Sequence, residues 1–191
     1  MAAIIQALRE EHRNIARLLD ALSHQVEVFA EAGDPDYDIV LGVADYFIDY
    51  PDQCHHPKEN LVYARLKHAH PGEAEGLFDL LAEHRQVHER VVRFHETIDL
   101  LLGQSDIARA SIVAAARAFI ALEREHMQKE EAQFLPLAER VLTAEDWAQI
   151  EAALAERRDP LFGERAEQNF AALRERLLEW EAEFGGRRGC G

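Results

Sequence analysis

Cys54-His55-His56-Pro57-Lys58-Glu59 is the stretch on which the reading of this chain turns. It sets two adjacent imidazoles near a carboxylate, with His55 and Glu59 four residues apart. On an α-helix that spacing stacks two side chains on one face. A single His-x-x-x-Glu carries little weight, because charged helices contain such pairs by chance. Here the spacing recurs. His84 and His88 are four apart, as are His126 and Glu130, and His12 stands in an earlier segment. Seven potential metal ligands, His12, His55, Glu59, His84, His88, His126 and Glu130, fall in four segments that read as helix.

Working outward, residues 3–30 predict an amphipathic helix with a stripe of Leu8, Ile15, Leu19, Leu22 and Val26 that includes His12. Gly33-Asp34-Pro35 ends it. Residues 36–69 carry a second helical region whose apolar face is Ile39, Val40, Val43, Tyr46, Phe47 and Tyr50. Pro51 predicts a break, with Asp52 as cap and the helix running on through His55 to about Leu66. His56 is then expected to face solvent, because adjacent helical residues point about 100° apart. The third helix, residues 73–102, reads as a stripe of Leu77, Leu81, His84, His88, Val91, His95 and Ile98. Gly103-Gln104-Ser105 reads as a turn with Ser105 as a helix cap. Residues 106–142 form the fourth helix, with Ile112, Ala116, Phe119, Glu123, His126, Glu130, Phe134 and Leu137 on one side. Glu131 is turned about 100° from Glu130 and is expected in solvent.

Thr143-Ala144-Glu145-Asp146 resembles a capping box and opens a fifth helix to about Arg157. Asp159-Pro160-Leu161-Phe162-Gly163 reads as a break, and residues 164–184 as a last helix. The expected organisation is a bundle over 1–142, a C-terminal helical extension over 143–184 packed on it, and a disordered tail over 185–191. No internal repeat stands out.

Composition bounds the function. A chain of 191 residues with 48% apolar content suits one core, and Ala, Leu, Glu and Arg dominate, which favours an all-α protein. The net charge of −15 repels phosphate backbones and anionic lipid, so neither nucleic acid nor a membrane is an expected partner. Cys54 and Cys190 form neither a disulfide framework nor a metal-ligand spacing. The N-terminus turns charged too early for a secretory signal, so a cytoplasmic location is expected.

Four long helices with short turns favour an up-down-up-down bundle, in which inward stripes meet at matching heights. Five imidazoles and two carboxylates are too many donors for one ion and fit two ions bridged by the carboxylates. Nitrogen and oxygen donors without cysteine suit iron or manganese better than structural zinc. If His84, His88 and His126 serve one ion, and His12 and His55 the other, the second keeps an open position for a small molecule.

The ordered motifs resemble the hemerythrin-like, or HHE cation-binding, family. The resemblance rests on Glu11-His12-Arg13, His55-His56-Pro57-Lys58-Glu59, Glu83-His84 with His88, and His126-Met127-Gln128-Lys129-Glu130-Glu131 followed by Phe134-Leu135-Pro136. It spans about residues 3–140. It implies a four-helix bundle around two iron ions joined by an oxo or hydroxo group, with the seven residues above as ligands and Glu59 and Glu130 bridging. Manganese or zinc is an alternative occupant.

Two readings of function follow. One is a non-enzymatic di-iron protein that binds O2 or NO for sensing, carriage or scavenging. The other is a di-iron peroxidase, oxidase or NO-reducing enzyme, or an iron donor for iron–sulfur cluster repair; a small diatomic ligand or peroxide is the expected partner, and the sequence names neither a redox partner nor an oligomeric state. Tyr63, His56 and Cys54 are the nearby groups an enzyme could use.

Overall fold

A computed structural model describes residues 2–102, 108–157 and 171–184. The expected turn at 103–105 with its Ser105 cap, the break at 159–163, the start of the last helix at 164–170 and the tail at 185–191 lie outside the described residues.

Helix α1 spans Ala3–Ala30. The second arm is α2, Tyr37–Tyr50, a π-helical turn at Pro51–His55, and α3, His56–Ala69. A short α4, Pro71–Ala74, leads into α5, Leu80–Leu102. The fourth arm is α6, Arg109–Lys129, a second π-helical turn at Glu130–Phe134, and α7, Leu135–Val141. Helices α8, Ala144–Arg157, and α9, Ala171–Phe184, follow.

Two apolar clusters fix the directions of the arms. One holds Ile4, Ile5 and Leu8 of α1, Val62 and Leu66 of α3, Leu80 of α5, and Phe134 and Leu137 from the end of the fourth arm. The other holds Ile15–Val26 positions of α1, Ile39–Phe47 positions of α2, Val91, Phe94 and Ile98 of α5, and Val113–Ile120 positions of α6. Each arm therefore crosses from one cluster to the other in alternating sense, giving the up-down-up-down bundle. Between the clusters, every arm carries its buried histidines and glutamates: His12, then His55, His56 and Glu59, then His84, then His126 and Glu130. A polar layer sits between two oil-like ends.

The second arm does not break at Pro51. The His56 N–H donates to the Pro51 carbonyl across a π turn, and the Leu135 N–H does the same to the Glu130 carbonyl. Each π turn ends two residues before a proline, Pro57 and Pro136. In a regular helix a proline ring presses on the carbonyl four residues back. That carbonyl lies in the widened turn in both cases, which relieves the conflict while keeping the rod continuous.

The C-terminal helices lie against the bundle. Thr143 and Asp146 form the expected reciprocal cap: the Thr143 N–H and hydroxyl both donate to Asp146 Oδ2 (2.7 and 2.8 Å), and the Asp146 N–H donates to Thr143 Oγ1. Arg65 of α3 also binds the Asp146 carboxylate at 2.6 Å, which ties α8 to the second arm. Those backbone and hydroxyl donors, opposed by burial and helped by Arg65, hold the Asp146 carboxyl well below the usual range. On α9, Leu173, Leu177 and Trp180 join the second apolar cluster. Leu173 lies so close to Gly42 that a Cβ there would sit 2.9 Å from its Cδ1, so the absent side chain sets how near α9 approaches α2. No described helix is long and apolar enough to cross a membrane.

Candidate metal centre

The polar layer resolves into two groups of side chains whose donor atoms lie within 4.8 Å of one another: His12, His55, Glu59 and Glu130, and His56, Glu59, His84 and His126. All seven residues are buried. Glu59 turns Oε1 toward His12 Nε2 (3.5 Å) and His55 Nε2 (3.4 Å), and Oε2 toward His84 Nε2 (3.2 Å). Glu130 mirrors it. Its Oε2 faces His12 Nε2 (3.3 Å), and its Oε1 faces His126 Nε2 (3.1 Å) and His84 Nε2 (3.6 Å). Each carboxylate thus offers one oxygen to each group.

These short contacts lack hydrogen-bond geometry. His12 Nε2, His84 Nε2, His126 Nε2 and all four oxygens of Glu59 and Glu130 are buried without a hydrogen-bond partner. Leaving so many polar atoms unsatisfied would cost about 1–3 kcal/mol each. Donors that share one ion at about 2.1 Å, at angles between a right angle and a tetrahedral one, lie about 3.0–3.4 Å apart. Four of the six separations here fall in that range, and the other two, 3.5 and 3.6 Å, lie just above it. The donor set therefore fits cations: orphaned atoms converge, at coordination spacing, on two points flanked by the same two carboxylates.

The outer ring supports the inner one. His12 Nδ1 pairs with Glu131 (2.8 Å), His55 Nδ1 with Glu11 (2.7 Å), His56 Nδ1 with Asp52 (2.9 Å) and His126 Nδ1 with Glu83 (3.1 Å). Lys58 binds Glu11 in turn, and Lys129 binds Glu83 at 2.7 Å. A carboxylate on Nδ1 fixes the tautomer and points the Nε2 lone pair inward.

Charge explains the acid–base state of the layer. Burial works against ionising Glu59 and Glu130. The surrounding imidazoles still hold both carboxyls below the usual range, Glu59 far below it. Burial also works against His12 and His84, but Glu130 and Glu59 override it and push them up to about 11 and about 9. His56 goes down, mainly through burial, with His84 adding to it. His12 and His84 thus carry protons at pH 7 that an entering cation must displace. Metal uptake at pH 7 should release protons, and apparent affinity should rise with pH through about 9, where His84 gives up its proton, and on toward about 11, where His12 does. Calorimetric titration in buffers of different ionisation enthalpy measures this; uptake without proton release would contradict it.

One sequence expectation moves. His88 is not brought to either group. It is half-exposed, and its Nδ1 pairs with Asp52 Oδ2 at 2.8 Å. His56 stands there instead, 4% exposed, with its ring stacked 3.8 Å from that of His84. The 100° argument against His56 fails because α3 has neighbours on two sides, α1 and α5. His55 serves one side and His56 the other. One further expectation shifts: Glu131 is bound to His12 rather than idle in solvent. Of the nearby candidates, Tyr63 hydrogen-bonds the Phe78 carbonyl and lies in the apolar cluster, and Cys54 is half-buried with its thiol pushed up by burial.

The sequence as a whole matches the family model for the hemerythrin HHE cation binding domain over residues 3–138. The chain belongs to the hemerythrin HHE cation-binding family. That span covers all four arms and stops in α7, before α8 and α9. Neither the curated proteins nor the solved structures compared with the chain returned a match. As an HHE protein the chain is expected to bind metal, and its two His/Glu groups are where the fold would hold it.

The same geometry exposes a pseudo-repeat that spacing alone did not reveal. Glu11-His12 on α1 works with His55-x-x-Lys58-Glu59 on the second arm. Glu83-His84 on α5 works with His126-x-x-Lys129-Glu130 on the fourth. In each half, the Glu before the first histidine binds both the second histidine and the lysine three residues after it. Those paired signatures were the available signal for Glu11, Glu83, Lys58 and Lys129.

Proposed function

We propose that this chain is a non-heme di-iron protein that binds O2 or NO reversibly. His12 and His55 would hold one ion, and His56, His84 and His126 the other, with Glu59 and Glu130 bridging. The observation that carries the reading is the division of each glutamate's oxygens between a two-imidazole and a three-imidazole group. The two-imidazole group has fewer protein donors, which leaves room there for a small ligand. When bound, a pair of redox-active ions supplies electrons to a diatomic molecule. Nitrogen and oxygen donors without thiolate favour iron or manganese over a closed zinc site.

The protein's own part is positional. The outer carboxylates orient the imidazoles, the bridging glutamates offset cationic charge, and the apolar clusters on both sides keep bulk water from the layer. Iron-loaded protein should show near-ultraviolet absorption that changes reversibly on exposure to O2 or NO. His84→Ala should lose most of its iron and that absorption, while His68→Ala, an exposed change, keeps both. An unchanged spectrum under both gases would refute reversible binding.

Glu123 supports the enzyme reading as a second possibility. It is 3% exposed, its Oε2 has no partner, and burial pushes its carboxyl up, with Glu130 adding to the effect and His126 opposing it. A carboxylic acid kept neutral inside a protein can donate a proton to a substrate oxygen. Under this reading, Glu123→Gln lowers peroxide or NO turnover about 100-fold and leaves iron content unchanged. Equal turnover in the variant removes Glu123 from the chemistry.

A further inference from the structure

The pseudo-repeat has one flaw, and it falls on a metal-facing histidine. His12, His55, His56 and His126 each rest Nδ1 on a carboxylate. His84 does not: its Nδ1 is buried and has no hydrogen-bond partner. The repeat says what should stand there. In one half the residue after the bridging Glu130 is Glu131, and it takes His12 Nδ1. By register its counterpart after Glu59 is Asn60, on the helix that packs against α5, which carries His84. The Asn60 carbonyl oxygen Oδ1 is itself buried without a hydrogen-bond partner. An acceptor and a donor in corresponding places are both idle, and the acceptor is neutral where its counterpart is charged.

Resting on the two-ion reading above, we propose that Asn60 makes the two metal positions unequal. It withholds the carboxylate that would strengthen His84, so the three-imidazole position binds its ion more weakly and is reduced more easily than its neighbour. A carboxylate on the outer nitrogen of a ligating imidazole raises its basicity, and losing such a partner costs 10–100-fold in metal affinity. His84 is the one imidazole without this support that also faces both bridging glutamates. Asn60 is thus a positioning residue for metal selectivity, acting through His84. The expected behaviour is stepwise loading, with the two-imidazole position filling first despite its smaller count of nitrogens.

Titration of the full chain with Co2+ alone, read by calorimetry and by the visible bands of the bound ion, tests this. Wild type should bind in two resolved steps. Asn60→Asp keeps the side-chain shape and adds the charge, and Asn60→Glu adds the reach of Glu131. In at least one of them the weaker step should tighten about tenfold and move toward the stronger. In the iron-loaded protein the higher of the two reduction potentials should fall in the same variant. A purely structural role for Asn60 would move melting temperature but not the separation of steps. Two equal steps in wild type, or no change of the weaker step in either variant, overturns the inference and leaves the two-ion centre standing. A single Co2+ per chain overturns both.

Discussion

Glu59→Ala should strip metal from both positions at once. Glu59 is fully buried and gives Oε1 to the His12 and His55 side and Oε2 to the His84 side. In the proposed two-ion centre its removal would leave each ion one oxygen short. It would also remove a negative charge that balances the two cations in a medium where unpaired charge costs several kcal/mol. Metal content should fall from about two ions per chain to well under one, a larger loss than any single histidine produces. Elemental analysis after gel filtration reads this directly. Glu59→Gln keeps the shape but removes the charge and turns one acceptor oxygen into an NH2 donor, so it separates lost ligation from a cavity: it should lose metal nearly as completely while melting closer to wild type. A Glu59→Gln protein that keeps both ions would show that the carboxylate does not bridge.

The second large effect concerns two histidines that sequence and structure rank in opposite order. His56→Ala should remove one donor from the three-imidazole group and break the stack with His84. One ion per chain should then be lost or bind at least ~10-fold more weakly, as expected when a ligand or its immediate support is removed. His88→Ala should leave metal content unchanged. His88 touches the centre only through Asp52, which pairs with both His88 and His56, so a few-fold loss of affinity is the most it should cost. Metal titrations of the two variants side by side decide the matter. Loss of an ion in His88→Ala, with full retention in His56→Ala, would restore the ranking that spacing alone suggested.

That reversal marks the limit of periodicity. On α5, two stripes share His84, Val91 and Ile98. One adds Leu81, His88 and His95; the other adds Leu80, Val87 and Phe94. They differ by a rotation of about 100° on one flank. The protein buries the second set, with Leu80, Val87 and Phe94 nearly inaccessible, and leaves Leu81 43% exposed. Burying a large apolar side chain contributes about 1.5–3 kcal/mol, so three of them outweigh one leucine and two polar rings. The better stripe was legible in composition; the pull of two histidines at chelating spacing obscured it.

The bundle itself was readable because long amphipathic rods and short turns admit few arrangements. The capping box at Thr143 was readable because its chemistry is local. The π turns were not. They answer a conflict between a proline and a carbonyl within a rod whose other contacts keep it straight, and only Pro57 and Pro136 hinted at them. His56 was missed for a tertiary reason: a helix between two neighbours has two inward faces, and one sequence stripe describes only one. The carboxylates that orient the imidazoles were hidden similarly, since Glu11, Glu83 and Glu131 act on histidines of other helices.

We propose that two cations share Glu59 and Glu130 between two unequal histidine groups. The most direct test is the Mössbauer spectrum of protein loaded with iron-57, with iron per chain measured on the same sample. Two ions that share both glutamates should give about two irons per chain in two distinct ferric environments, magnetically coupled so that the oxidised protein has no net spin. One iron per chain, or two that behave as isolated high-spin ions, would contradict it.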